Sequence, residues 1–419
     1  MALYIVSSLF VLLALGVPVA FAIGIIGLGA IVFFQATSLT QLAQSQFANL
    51  DSFVLLAIPF FVLAGNVMVR GQLAAYLYGF MRALTRPISG GPAIGAVLAS
   101  AIFGAMSGSS AAAAAALGRV TIPELDRLGF PRSFSAGVMA AGGTLSILIP
   151  PSIVFVIYGA MAQVSVADLF IAGVAPGIFL TILIGIVTFG LCIRNGWNVA
   201  DRWSLSELTE TGLKSIPALA MPGIVLGGIY GGFFTPTEAA AVSALYGLAV
   251  GLFVYRSLTL KDLPSLFAES ARMTATVLII LAGALFIGML STLAGIPQAI
   301  VHAVGTLALS KWQFLLVVNL VLLVLGCFLD GITILTVVTP LLLPSLRALD
   351  VNLIHFAIIL TVNIEIASIT PPIGMNLFVI SSISKTPLET VVRGVVPYII
   401  VLALGLLIIT YVPWAFLLG

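Results

Sequence analysis

Two proline pairs, Pro150-Pro151 and Pro371-Pro372, interrupt long apolar stretches of the chain. Over about 130–162 and about 354–384, each stretch otherwise reads as one membrane-spanning helix. Proline lacks an amide donor, and the second proline of each pair pushes the first out of helical conformation. Gly142 and Gly143 weaken the first helix further, and Gly374 the second. Each helix should break and restart, with proline near the first turn of its second half. In hydrocarbon a break is tolerated only where protein or a water-filled cavity satisfies the freed backbone groups. A broken helix at membrane depth is therefore a candidate binding site, because unwound carbonyls hold cations.

The two pairs lie 221 positions apart. The same shift pairs Pro123 with Pro344, Gly173 with Gly394 and Pro176 with Pro397. From 123 to 178 no gap is needed, and ten of those 56 positions are identical. Identity alone says little in so apolar a chain; the aligned prolines and glycines carry the repeat. Matching Gly/Pro interruptions in two halves point to a transporter site between repeats.

Of 419 residues, 61% are hydrophobic and only 7% charged, with a mean hydropathy of +1.26. These values describe an all-α polytopic membrane protein. Cys192 and Cys327 sit in apolar segments and read as free buried thiols. His302 and His355 form no ligand motif, and the chain has no Walker A, His-Glu-x-x-His or Gly-x-Ser-x-Gly pattern. Nothing here points to an enzyme or to nucleic-acid binding.

Taken in order, 2–34 reads as a retained first span, 35–51 as a polar loop and 52–69 as a second span. The mixture of Arg82 and Arg86 with Tyr76, Tyr78 and Phe80 over 72–86 predicts an interfacial helix. The stretch 93–121 is apolar but broken by small polar residues at 107–110, and each arm is short against the roughly 20 residues of a crossing. It reads as a re-entrant hairpin, followed by a charged connection over 119–132 and the first broken helix. A span over 169–193 leads to a polar stretch in which Ser204 and Glu207 predict a short surface helix. Spans follow at 216–234 and from Thr235, where Pro236 and Glu238 make a helix start. After a polar loop at 256–272, 273–291 spans and 293–311 is a mobile or interfacial stretch. A second re-entrant hairpin over 312–343 breaks at 326–331; the second broken helix and a last span over 393–416 complete the chain. The organisation is thus an N-terminal span and loop (1–51), repeat 1 (52–193), linker helices (194–272) and repeat 2 (273–419).

Lysine and arginine placement tests this topology. With each hairpin counted as no crossing, 14 of the 16 basic residues share one side, and only Lys311 and Arg347 take the other. The positive-inside rule makes the basic side cytoplasmic. Both termini and the mouth of the second hairpin then face outward, and the first hairpin enters from the cytoplasm. Five crossings separate the starts of the repeats, so they are inverted, as in alternating-access transporters.

Four motifs, Gly104-Ala-Met-Ser-Gly-Ser-Ser110, Ala141-Gly-Gly-Thr-Leu-Ser-Ile-Leu-Ile-Pro-Pro-Ser152, Phe234-Thr-Pro-Thr-Glu-Ala-Ala240 and Ile369-Thr-Pro-Pro-Ile-Gly-Met-Asn376, resemble those of the large membrane (M) subunit of tripartite ATP-independent periplasmic (TRAP) transporters. The resemblance covers essentially the whole chain. It implies sodium-coupled uptake of organic acids (sialic acid or C4-dicarboxylate class) by an elevator motion in the bacterial inner membrane. It also implies a small four-helix membrane subunit, expected as a separate chain, and a periplasmic substrate-binding protein. At least two Na+ sites are implied. The first would draw on Ser107, Ser110, Gly142, Leu145 and Pro150, and the second on Gly331, Thr370, Gly374 and Met375. Ser109, Asp330, Asn363 and Asn376 are candidate substrate contacts, and Glu365 is a second acidic residue at membrane depth. A single-component carboxylate transporter of the divalent-anion/sodium symporter type shares this plan and stays open, as does a channel.

Overall fold

The computed structural model describes residues 1–35, 37–197 and 200–416, and these contain nineteen α-helices and no strand. The last three positions of segment 273–419 lie outside the described residues. The run 2–34 does not form the single span expected. It forms α1 (Ala2–Ala14) and α2 (Val19–Phe34), separated by Gly16, at a left-handed φ of +76°, and by Pro18. Glycine adopts that conformation without steric cost, and proline cannot continue the first helix. Tyr4 of α1 lies against Phe33 and Phe34 of α2, with ring centroids 6.4 and 5.3 Å apart. The start of α1 thus meets the end of α2. The two helices fold back on each other and return Met1 to the side of Gln35; a single span over 2–34 is incompatible with the outward N-terminus expected from the charge count.

The stretch 35–51 holds α3 (Leu39–Leu50) in place of a loop. Ser38 caps it by accepting from the Gln41 amide at 3.1 Å, the Ser-x-x-Gln start that its sequence contains. After a 3₁₀ turn (Phe53–Leu56) come α4 (Ala57–Arg70) and α5 (Leu73–Thr85). One face of α5, with Leu73, Leu77, Tyr78 and Met81, is buried. A helical pair follows, α6 (Gly91–Ser107) and α7 (Ser110–Arg127), turned by Gly108 at φ +59°. The helix continues through 119–127, so the charged connection expected there is mostly helical.

α8 (Arg132–Thr144) runs into a 3₁₀ turn (Leu145–Ile147), stops, and restarts as α9 (Ile153–Ala162). The break occurs where it was read, but the restart comes after Pro150-Pro151, which therefore lie before the first turn. α10 (Val166–Arg194) leads to α11 (Leu205–Tyr230). Ser204 caps α11 as expected, accepting from the Glu207 amide at 3.2 Å. It is one 26-residue helix, not a short surface helix followed by a span. Pro217 and Pro222 do not end it. Tyrosine hydroxyls tie this region to the following helix: Tyr246 donates to the Pro217 carbonyl at 2.9 Å and Tyr255 to that of Lys214 at 2.6 Å. α12 (Pro236–Ala249) opens with the reciprocal Thr235–Glu238 capping box and ends in a π-helical turn (Val250–Val254).

α13 (Leu263–Leu293) starts inside the supposed loop 256–272, and α14 (Ile296–Thr306) fills the stretch 293–311. The second helical pair is α15 (Lys311–Gly326) and α16 (Gly331–Ala348). The second interrupted helix is α17 (Leu353–Ser368) and α18 (Met375–Ser384), followed by α19 (Leu388–Tyr411). Shifted by 221, Ser110–Arg127 falls on Gly331–Ala348 end for end, and the start of α8 falls on that of α17. Seven helical segments among the described residues are long and apolar enough to cross a membrane, α16 included. Length and composition therefore do not separate a hairpin arm from a span.

Close approach and a few polar ties hold the interrupted helices together. A Cβ on Gly137 of α8 would stand 2.2 Å from the Gly394 carbonyl oxygen of α19. Arg132, at the start of α8, donates to the Thr386 hydroxyl (3.0 Å), to the Ser384 carbonyl at the end of α18 and to Asp126. On the other side Tyr158 of α9 donates to the Leu353 carbonyl at the start of α17, at 2.8 Å. At one end of the molecule Arg82 pairs with Glu124 (2.5 Å) and Glu207 (2.7 Å), and Arg86 with Glu207 and Asp201. This network joins α5, α7 and α11.

Gly137→Val should overpack the α8–α19 contact and cost about 1–3 kcal/mol, read as a lowered melting temperature in detergent. Arg86 holds the Asp201 carboxyl below its usual range by a hydrogen bond and its charge. A depressed folded pKa contributes stability above the unfolded value and loses it as pH falls through the folded one. The stability difference between wild type and Asp201→Asn should accordingly be present at pH 6 and fade as pH falls below about 4.

Candidate functional site

Four chain interruptions converge on one cavity of about 520 Å³. The first hairpin turn supplies Gly108, Ser109 and Ser110, and the second supplies Leu329, Asp330 and Gly331. Ile147 and Ile153 border it from the first break, and Ser368, Ile373 and Met375 from the second. The opposite wall comes from other elements, Val62 of α4 with Met273, Thr276 and Val277 of α13. α4 and α13 are joined by a hydrogen bond from Asn66 to Ser270 (2.9 Å) and by Arg70 with Glu269 (2.5 Å).

Ser109 and Asp330 hold equivalent places, each capping the second arm of its hairpin. Ser109 accepts from the Ala112 amide at 3.4 Å, and Asp330 from the Thr333 amide at 3.2 Å and from the Thr333 hydroxyl. Each cap satisfies one of the orphan amides at its helix start and fixes its side chain at the cavity edge. A carboxylate in one cap and a hydroxyl in the other make the two tips electrostatically unequal.

The breaks are rich in acceptors. Among the described residues, the carbonyls of 148–151 and of 368–373 accept no hydrogen bond from backbone or side chain. Two of these oxygens converge on Gly374: a Cβ there would lie 2.9 Å from the Thr370 oxygen and 3.0 Å from that of Ser368. Thr370 donates its hydroxyl to the Ile366 carbonyl at 2.7 Å, which leaves that hydroxyl oxygen free to accept. Such oxygens, with no carboxylate among them, suit a monovalent cation. Leu145 is different, because its carbonyl already accepts from the Leu148 and Ile149 amides, at 3.3 and 3.1 Å.

Of the residues singled out from sequence, Ser109, Ser110, Asp330, Gly331 and Met375 line the cavity. Ser107, Gly142, Leu145, Pro150, Thr370 and Gly374 do not line it. Ser107 is buried, its carbonyl 3.0 Å from where a Cβ on Gly65 would sit, and Gly142 packs on Ser100. Asn376, fully buried, accepts from the Ser110 hydroxyl at 3.0 Å and donates to the Ala140 carbonyl at 3.2 Å. It thereby ties the second break to the first hairpin and the first broken helix. Asn363 is directed elsewhere, donating to Asn319 of α15 (2.8 Å) and to the Ile359 carbonyl (2.9 Å). Glu365 is fully buried, and neither carboxyl oxygen has a hydrogen-bond partner among the described residues. Sequence reasoning missed Ser368 and Thr276. Ser368 stands next to the Thr-Pro-Pro motif and was readable there; Thr276 lies in a plain apolar helix and carries no signal.

The Ser110–Asn376 bond predicts coupling. In a double-mutant cycle with Ser110→Ala and Asn376→Ala, the interaction energy should be about 1 kcal/mol by thermal unfolding.

The profile of the family described as Tripartite ATP-independent periplasmic transporter, DctM component, matches residues 6–415. The C4-dicarboxylate TRAP transporter large permease protein DctM of Pseudomonas aeruginosa is 42% identical over 392 residues, covering 94% of this chain and 92% of its own. The sialic acid TRAP transporter large permease protein SiaM of Vibrio cholerae is 33% identical over 96% of this chain and 94% of its own. Among solved structures, the Alcanivorax borkumensis YdaH transporter superposes with a TM-score of 0.67 over 91% of this chain and 90% of its own. At 14% identity that is a likeness of fold.

Proposed function

We propose that this chain, which belongs to the DctM component family of tripartite ATP-independent periplasmic transporters and is a large permease subunit, takes up an organic acid by sodium-coupled secondary transport. It is a multi-pass membrane transporter component and not an enzyme. The observation that carries the coupling is the pair of acceptor-rich breaks bordering a cavity that both hairpin turns line. Proline pairs remove amide donors and leave the carbonyls, so each break favours a cation over an anion. A bound cation then offsets the charge of an acid in the adjacent cavity, where the starts of α7 and α16 direct amides toward it. Ser107, Ser110, Gly142 and Pro150 would frame one Na+ position, beside the Leu145 carbonyl that two amides already engage, and Gly331, Thr370, Gly374 and Met375 the other.

The motion we propose is of elevator type, in two inverted repeats. The hairpins and broken helices form the moving body and α4 with α13 the fixed wall, since the cavity lies between these groups. The first hairpin enters from the cytoplasm and the second from the periplasm. With α1 and α2 counted as a returning pair, both termini are periplasmic, and the membrane is the bacterial inner membrane. A small membrane subunit, expected to have four helices, and a periplasmic binding protein complete the system, as the tripartite family name implies. The binding protein selects the acid, of the sialic acid or C4-dicarboxylate class. Family membership disfavours a single-component symporter.

Uptake into proteoliposomes tests this. Transport should need both membrane subunits, the loaded binding protein and an inward sodium gradient, and should survive collapse of the pH gradient. Gly374→Val should lower sodium-dependent uptake at least about tenfold, because its side chain fills the space the Ser368 and Thr370 oxygens face. Uptake by the chain alone, or undiminished uptake with choline replacing sodium, overturns the reading.

A further inference from the structure

The cavity does not account for a second recess of about 680 Å³ where the outer end of α7 meets α5. Its wall includes Arg82, Arg119 and Arg127, opposed by one carboxylate, Glu124. Glu124 is engaged by Arg82, whose other nitrogen is taken by Glu207. Arg119 and Arg127 are exposed, and neither has a carboxylate within salt-bridge reach among the described residues. They stand eight residues apart on one helix, with Pro123 midway. That spacing is about 12 Å along the axis and about 80° around it, within reach of one ligand through their long side chains. Val120 and Pro123 give the recess an apolar floor.

We propose that this recess binds the phosphodiester headgroup of an anionic phospholipid. Guanidinium groups recognise phosphate oxygens in a planar, bidentate manner. The neighbouring surface favours a lipid over free phosphate. Leu84, Leu128 and Trp203 are exposed around this end of the bundle, at 39%, 39% and 62%, and Trp203 donates its indole N–H to the Leu84 carbonyl at 3.1 Å. An exposed indole with one apolar face and an anchored polar edge suits the interfacial layer of a bilayer. The headgroup would lie between α5 and the outer end of the first hairpin. Basic groups near anionic lipid each add to the attraction, and salt screens it.

Lipid retention measures this without transport, so its failure and that of the uptake reading are distinguishable. The purified chain is mixed with phosphatidylglycerol, with phosphatidylcholine or with inorganic phosphate, and bound lipid is counted by native mass spectrometry alongside the melting temperature. Wild type should retain phosphatidylglycerol and be stabilised by it, with little response to phosphatidylcholine or free phosphate. Arg119→Gln/Arg127→Gln should weaken retention about tenfold, whereas Lys261→Gln, which does not line the recess, should leave it unchanged. Arg119→Lys/Arg127→Lys keeps the charge and should retain intermediate binding, which guards against a folding defect in the Gln pair. Equal retention by wild type and the Gln pair, or equal retention of phosphatidylcholine, overturns the proposal. Stabilisation by inorganic phosphate alone overturns the assignment to lipid.

Discussion

Inside a bilayer every backbone amide and carbonyl must find a partner within the protein, and this chain breaks its helices at four points in its centre. How each break is satisfied sets the rest of the architecture. At the hairpin turns the second arm begins with orphan amides, of which Ser109 and Asp330 each cap one. At the proline pairs the imbalance runs the other way, because proline supplies a carbonyl and no amide. On this arrangement rests the proposal that an anion sits beside small cations.

Packing brings the four breaks together. Glycine lets α8 and α19 approach to backbone contact at Gly137 and Gly394, closer than any side chain permits. Arg132 and Tyr158 tie the beginning of each interrupted helix to the end of the other. Asn376 adds an internal tie from the second break to Ser110 and Ala140. A core with so few polar groups gains specificity from each buried one, since an unmet partner there is costly. Glu365 is one of several buried groups left without a partner among the described residues, with Ser146, Thr339 and Ser345.

Breaks and hairpins were legible because glycine and proline act locally and leave their mark wherever they stand. Caps were legible for the same reason at Ser204 and Thr235, and the same signature at Ser38 went unread. Sidedness of α1 and α2 was not legible from charge, because the run 2–34 holds no lysine or arginine. The turn at Gly16 and Pro18 folds the two helices back on each other. Helices α13 and α11 extend into polar sequence at 263–272 and 205–215, where hydropathy falls but the helical hydrogen bonding continues.

By itself the sequence determined that the chain crosses a membrane many times, where its helices break, and that the breaks recur after 221 residues. Those facts follow from composition and from the stereochemistry of single residues. Only the tertiary structure decided which side of each helix meets the cavity. Asn363 and Ile364 are neighbours in sequence about 100° apart on α17, and one turns to Asn319 while the other lines the cavity. It also decided the opposite wall, where Val62 and Thr276 come from helices with no motif, more than 200 positions apart. Contacts over such separations depend on how whole helices pack, and no local pattern records them.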